Sequence, residues 1–187
     1  MTGKKEKSLA LVIGGLSIIA IAILFILSTF PNGKIITKQT DFRYEVGIKV
    51  TQSGEVISNM TFIDIPIGIA VWASNTLIEN CTFIYCDDEG IIFTKYSHNN
   101  IVRNCAFYYC CDGIELQESC NNSFSNLQFF KNYHAGVDGI YHSNNNNFFF
   151  NCAFYGNVMG VYFKESENIV FDADCIFNNN KQDKVFW

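Results

Sequence analysis

A chain of 187 residues, 49% hydrophobic and 17% charged, has room for one globular domain plus a short extra segment and is too apolar to be disordered. Its net charge of -5 argues against a nucleic-acid partner, which needs a basic face to neutralise phosphates. With 18 Phe and 9 Tyr but only 2 Pro, the composition suits many short strands joined by tight polar turns.

Residues 1–8 form a short basic segment in which Lys4, Lys5 and Lys7 precede an uncharged run from Leu9 to Phe30. As a helix rising about 1.5 Å per residue, that run reaches roughly 33 Å, enough for a bilayer core of about 30 Å. Residues 9–30 are therefore expected to be a transmembrane helix or uncleaved signal anchor, with the basic flank cytoplasmic and the rest of the chain extracytoplasmic. A cleaved signal peptide is the alternative, although its apolar core normally spans only about 7–15 residues and ends in small residues. Residues 31–42 read as a linker, opening on the helix-stopping Pro31, Asn32 and Gly33.

From residue 43 to 187 the chain repeats itself. Asn or Asp, then two residues, then Phe recurs at Asn59–Phe62, Asn80–Phe83, Asn104–Phe107, Asn126–Phe129, Asn151–Phe154 and Asp174–Phe177. Gly47, Gly68, Gly90, Gly113, Gly136 and Gly160 keep the same beat, as do Ser53, Ser74, Ser97, Ser119, Ser143 and Ser166. Three markers sharing a period of about 23 residues indicate a solenoid. Each period holds three short alternating pieces, such as Cys105-Ala106-Phe107, Gly113-Ile114-Glu115-Leu116 and Ser123-Phe124-Ser125, too short for helices and readable as strands. The predicted fold is all-β: a single-stranded right-handed parallel β-helix of about six coils. Coils about 4.8 Å apart then stack like on like, Cys81 on Cys105 and Phe83 on Phe107, with corner asparagines bonding along the stack. Asn132, Asn157 and Asn180, in the slot of Cys86 and Cys110, predict a second ladder.

The recurring Gly-Ile-x-Leu, Ser-x-x-Asn and Asn-x-x-Phe pieces resemble the pectate-lyase-like right-handed β-helix superfamily, and within it the NosD-type repeats. The resemblance covers roughly residues 43–180. It implies the fold but no single activity, since that superfamily includes polysaccharide lyases, hydrolases, epimerases, adhesins and surface proteins. No catalytic motif of its enzymes is present, and the 3 Met and 3 His do not cluster as a copper role would require.

Two positions past the aligned glycines lie Lys49, Ala70, Ile92, Glu115, Asp138 and Tyr162, an outward file. Glu115 and Asp138 should be neighbours about 5 Å apart. At that distance two carboxylates can share a proton or serve retaining glycoside hydrolysis, so they are the candidate catalytic pair. The plainer reading is a solvated acidic strip. Asp112 at the preceding turn, Tyr162 and Lys164 are candidate ligand contacts, and so are Tyr85 and Tyr109, which cluster with Tyr108 and Tyr155 where aromatic faces can stack on sugar rings. Asp87, Asp88, Glu89 and Asp112 offer hard oxygen ligands, but no metal-ligand motif accompanies them; no metal site and no cofactor are expected.

The 8 cysteines invite a disulfide reading, but side chains stacked in parallel point the same way. Cys81, Cys105, Cys152 and Cys175 share a slot with Met60 and Leu127 and read as core. His98, His134 and His142 are expected at the surface, and Asn121 is the plausible acceptor among three glycosylation patterns. Phe186 and Trp187 are expected to fold over the last coil, or else the end to stack on a second copy as a homo-oligomer. The coil lengths leave no loop long enough to wall a groove. The expected function is thus a membrane-anchored, non-catalytic module that binds glycans or surface proteins or builds the envelope. The alternatives are a glycan-active lyase or hydrolase using the acidic strip, and a NosD-like accessory protein.

Overall fold

The computed structural model describes residues 33–37, 45–140 and 144–187. The expected transmembrane segment 9–30, its basic flank, His142 and Ser143 lie outside them. Among the described residues no helix is long and apolar enough to cross a membrane.

Lys34 to Trp187 form one compact unit of three parallel sheets. Sheet A has seven strands and carries the Asn-x-x-Phe pieces, for example Thr82–Ile84, Ala106–Tyr108 and Gln128–Phe130. Sheet B, also of seven, carries the glycines, as in Glu89–Phe93, Asp112–Leu116, Ala135–Gly139 and Met159–Phe163. Sheet C has six, among them Ile101–Arg103, Ser123–Ser125 and Phe148–Phe150. The chain visits A, B and C in turn, so six complete coils are followed by the A and B strands of a seventh. Lys34–Thr37, inside the stretch expected to be a linker, supplies the first strand of sheet A and pairs with Met60–Ile63.

Like residues stack as the repeat predicts. Phe62, Phe83, Phe107, Phe129, Phe154 and Phe177 form one inner column with ring centroids 4.6–4.9 Å apart and nearly parallel planes. Phe124, Phe149 and Phe171 form a second. The first column sets the glycine beat: a Cβ on Gly113 would lie 2.5 Å from Phe129 Cδ1 and 2.6 Å from the Gly136 carbonyl oxygen. Sheet B can approach the rings this closely only where no side chain intervenes.

Corners are made by residues in the left-handed region, which asparagine tolerates better than most side chains. Asn59, Asn80, Asn104, Asn126 and Asn151 turn the chain into sheet A with φ of 48–56°. Asn75, Asn99, Asn121, Asn146 and Asn168 adopt the same conformation before sheet C. Buried asparagines run beside them. Asn132 donates its backbone N–H and its Nδ2 to Asn157 Oδ1, and Asn157 does the same to Asn180, forming the ladder the sequence predicts. A further column, Asn100 on Asn122 on Asn147, repeats that pattern at 2.9–3.1 Å. Each rung satisfies a backbone donor that no strand pairs, ending on the Thr76 N–H, which donates to Asn100 Oδ1 at 2.9 Å.

None of the eight cysteines is in a disulfide among the described residues. Cys81, Cys105 and Cys152 are buried in the core cluster and Cys175 packs against it. The C-terminus differs from expectation. Gln182–Phe186 forms the seventh strand of sheet B on Met159–Phe163, and Phe186 and Trp187 stay 51% and 77% exposed instead of covering the coil. Hydrogen bonding decides this: the Trp187 N–H reaches the Phe163 carbonyl, and its own carbonyl accepts from Glu165.

Candidate functional site

The outer face of sheet B is where stacking of like on like stops. Residues three and five of the central strands, such as Ile91 and Phe93 or Ile114 and Leu116, enter the core. Residues one and four are left on the outer side. The fourth-position file runs Lys49, Ala70, Ile92, Glu115, Asp138, Tyr162, with each pair in register. The first-position file brings Glu89 beside Asp112, which opens its strand rather than standing in the turn before it.

Glu115 and Asp138 are therefore register partners on adjoining coils, but they are not a solvated strip. Glu89, Asp112, Glu115 and Asp138 are each at most 7% exposed, because neighbours on both sides and the half-buried Ile92, Gln117 and Tyr162 crowd the strip. His134, which the sequence placed at the surface, is half-buried and joins them. Its Nδ1 lies 3.0 Å from Asp112 Oδ1 and 3.4 Å from Asp138 Oδ2. Asp112 Oδ1 also accepts the Ala135 N–H at 2.8 Å, which fixes that carboxylate against the next coil. Glu115 Oε1 accepts from Gln117 Nε2. Asp138 Oδ1 and Glu89 Oε2 are buried without a hydrogen-bond partner.

Burial and mutual repulsion shape the protonation of this cluster. Burial, reinforced by the charges of Glu115 and Asp88, raises Glu89 to about 10, so it holds a proton at neutral pH. Burial raises Asp138 to about 7, with Asp112 adding to the shift and His134 opposing it. Glu115 is also raised by burial, partly offset by hydrogen bonds from Gln117 and Glu89. The hydrogen bond to Asp112 lifts His134 above its ordinary range against the effect of burial.

Beside the cluster, at the corner from sheet A into sheet B, stands an aromatic ledge. Tyr85 and Tyr109 stack at 5.2 Å with planes 16° apart, and Phe130 meets Tyr109 edge-on at 5.9 Å. Tyr133, 62% exposed, lies beyond them. This corner holds Asp64, Tyr85, Tyr109, Lys131, Gly156 and Asn179 in the left-handed region, where the turns directly before sheets A and C use asparagine and the exit from sheet B uses Tyr96, Glu118 and Glu165. Two tyrosines in that conformation cost about 1–2 kcal/mol each relative to a residue suited to it. Tyr108 tilts onto Phe130, and Tyr155 pairs with Phe130 across the next coil. Tyr162 flanks Asp138, whereas Lys164 is exposed past the end of its strand and forms no ion pair with the cluster among the described residues.

A parallel β-solenoid with a polar cluster on one outer sheet face defines the class. The chain belongs to the right-handed β-helix family: residues 32–158 match its right handed beta helix region. Among solved structures the chain is similar to a double mutant of the periplasmic alginate epimerase AlgG, at 17% identity and a TM-score of 0.40, over 83% of this chain and 47% of that one. It thus spans about half of that protein. It is also similar to QnrB1, a plasmid-mediated fluoroquinolone resistance protein, at 16% identity and a TM-score of 0.25, over 82% and 77% of the two chains. Likenesses of this size carry no information on activity. No curated protein sequence matches the chain.

Proposed function

We propose that the outer face of sheet B and the tyrosine corner beside it form a shallow carbohydrate-binding surface, and that the domain binds without turning over its ligand. The observation carrying this reading is the stacked Tyr85–Tyr109 pair, held in a backbone conformation that disfavours tyrosine and set next to the Asp112–His134 pair. Unfavourable backbone geometry retained at an exposed corner points to a role for the side chain. Flat aromatic faces pack on sugar rings, and neighbouring carboxylates accept their hydroxyls. The excess of Asp87, Asp88, Asp112 and Glu115 over His134 and Lys131 repels polyuronates, so the ligand is a neutral or amino-sugar glycan. Short connections between strands leave the face open, which suits binding along a polymer better than enclosing one bond.

The basic and apolar segment at residues 1–30 supports tethering to a membrane with the solenoid on the extracytoplasmic side, outside the cell or in the periplasm. A polysaccharide or a surface protein is then the accessible partner, and stacking of solenoid ends between copies is the route to assembly.

Incubating the full chain with neutral and amino-sugar polysaccharides, and measuring retention and product release together, tests the reading. Retention without new reducing ends or unsaturated products is expected. Product release that disappears in Glu115→Gln and Asp138→Asn would replace binding by glycan-active catalysis.

A further inference from the structure

We infer that Asp112, His134 and Asp138 form a binding site for a first-row divalent metal ion of the zinc type, independent of whether the face binds glycans. One ligand atom from each of the three lies within 4.8 Å of the others. The two separations measured from His134 Nδ1 are 3.0 Å to Asp112 and 3.4 Å to Asp138. Two donors held at about 2.1 Å by one ion stand roughly 3.0 Å apart at an octahedral angle and roughly 3.4 Å apart at a tetrahedral one. The two separations from His134 Nδ1 thus match the spacing one small ion imposes.

A second observation concerns the carboxylates rather than the spacing. Asp138 is 3% exposed, its Oδ2 faces His134, and its Oδ1 has no partner. A buried carboxylate oxygen is ordinarily hydrogen-bonded or bound to a cation. One imidazole faces the carboxyl groups of both Asp112 and Asp138, and a divalent ion would answer the two together.

The frame is already set. Asp112 is held by the Ala135 N–H, and the His134 carbonyl accepts from the Met159 N–H at 2.8 Å. Such contacts orient ligands before the ion arrives. The half-exposed imidazole leaves one side of the site open to water. A nitrogen donor among so few oxygens selects against calcium, which takes six to eight oxygens.

The test is titration of the metal-free full chain, in detergent, with Co²⁺ alone and then with Zn²⁺ as competitor. One Co²⁺ per chain should give visible d–d absorption without a thiolate charge-transfer band, and Zn²⁺ should displace it. Binding should weaken about tenfold or more in His134→Ala and in Asp138→Asn. The unaltered chain loaded with Cu²⁺ should show imidazole nitrogen in its spin-echo modulation, a readout that needs no variant to fold. No saturable binding would show that His134 and the aspartates form an ion pair only. A thiolate band, affinity unchanged in His134→Ala, absence of imidazole nitrogen, or Ca²⁺ binding as tightly as Zn²⁺ would each overturn the assignment.

Discussion

The inner and outer faces of sheet B are built on the same strands yet follow opposite rules. Inside, one file repeats with little change, as Ile69, Ile91, Ile114, Val137 and Val161, all buried. Outside, adjacent coils carry Lys49, Ala70, Ile92, Glu115, Asp138 and Tyr162, of which no two are alike. Repetition inside lets each rung present the surface its neighbour needs, and that is what a solenoid's stability requires. Where a file stops repeating, stacking no longer accounts for its residues. In this molecule the break in the repeat falls where carboxylates are buried with two of their oxygens unpartnered and where two tyrosines adopt the left-handed conformation side by side.

The comparison predicts a graded series of effects. Phe129→Ala removes a ring stacked on both sides and should cost about 3–5 kcal/mol in a denaturation experiment. Gly113→Ala drives a Cβ into that ring and into the Gly136 carbonyl, and a loss of about 2–3 kcal/mol is expected. Asn122→Ala leaves the Asn100 N–H without its acceptor inside the turn and should cost about 2 kcal/mol. The outer face should respond with the opposite sign. Glu89 keeps its proton when folded up to about pH 10 but loses it near its ordinary 4.5 when unfolded. Its contribution to stability is therefore complete below about pH 4.5 and declines as pH rises towards 10. Glu89→Gln should match the parent near about pH 4 and, in metal-free protein, exceed it by on the order of 1–3 kcal/mol near about pH 8. A variant less stable than the parent at both pH values would show that the outer carboxylates are structural, and the contrast between the faces would fail.

Most of the fold was legible because a solenoid writes its geometry into spacing. The Asn-x-x-Phe and glycine beats place sheets A and B, and the slot shared by Cys86, Cys110 and Asn132 identifies one buried ladder. The Asn100–Asn122–Asn147 ladder was less visible, since asparagine also marks exposed corners and spacing does not separate the two. Of the site, the file containing Glu115 and Asp138 follows from register alone. Its burial does not, because that depends on how Ile92, Gln117 and Tyr162 crowd the face. His134 escaped for a local reason: its coil has one residue more than its neighbour between the left-handed corner and the strand, Lys131 to Ala135 against Tyr109 to Asp112. That extra residue sets the imidazole against the carboxylates of two coils. Aligning corners rather than glycines would have found it. The C-terminal segment was misread as a cap because aromatic composition weighed more than the strand pairing its backbone could make.

The direct test of the central claim, that the outer face is kept for a ligand and the inner for the fold, is the double variant Tyr85→Asn with Tyr109→Asn. Asparagine suits the backbone conformation of that corner, so the denaturation midpoint should correspond to a stability within about 1 kcal/mol of the parent, the lost stacking offset by relief at the corner. Binding to the glycan retained by the unaltered chain should fall at least about tenfold, an effect of the size expected for losing an aromatic anchor. Unchanged binding, or a stability loss of several kcal/mol, would mean that the tyrosine ledge serves the solenoid and not a ligand.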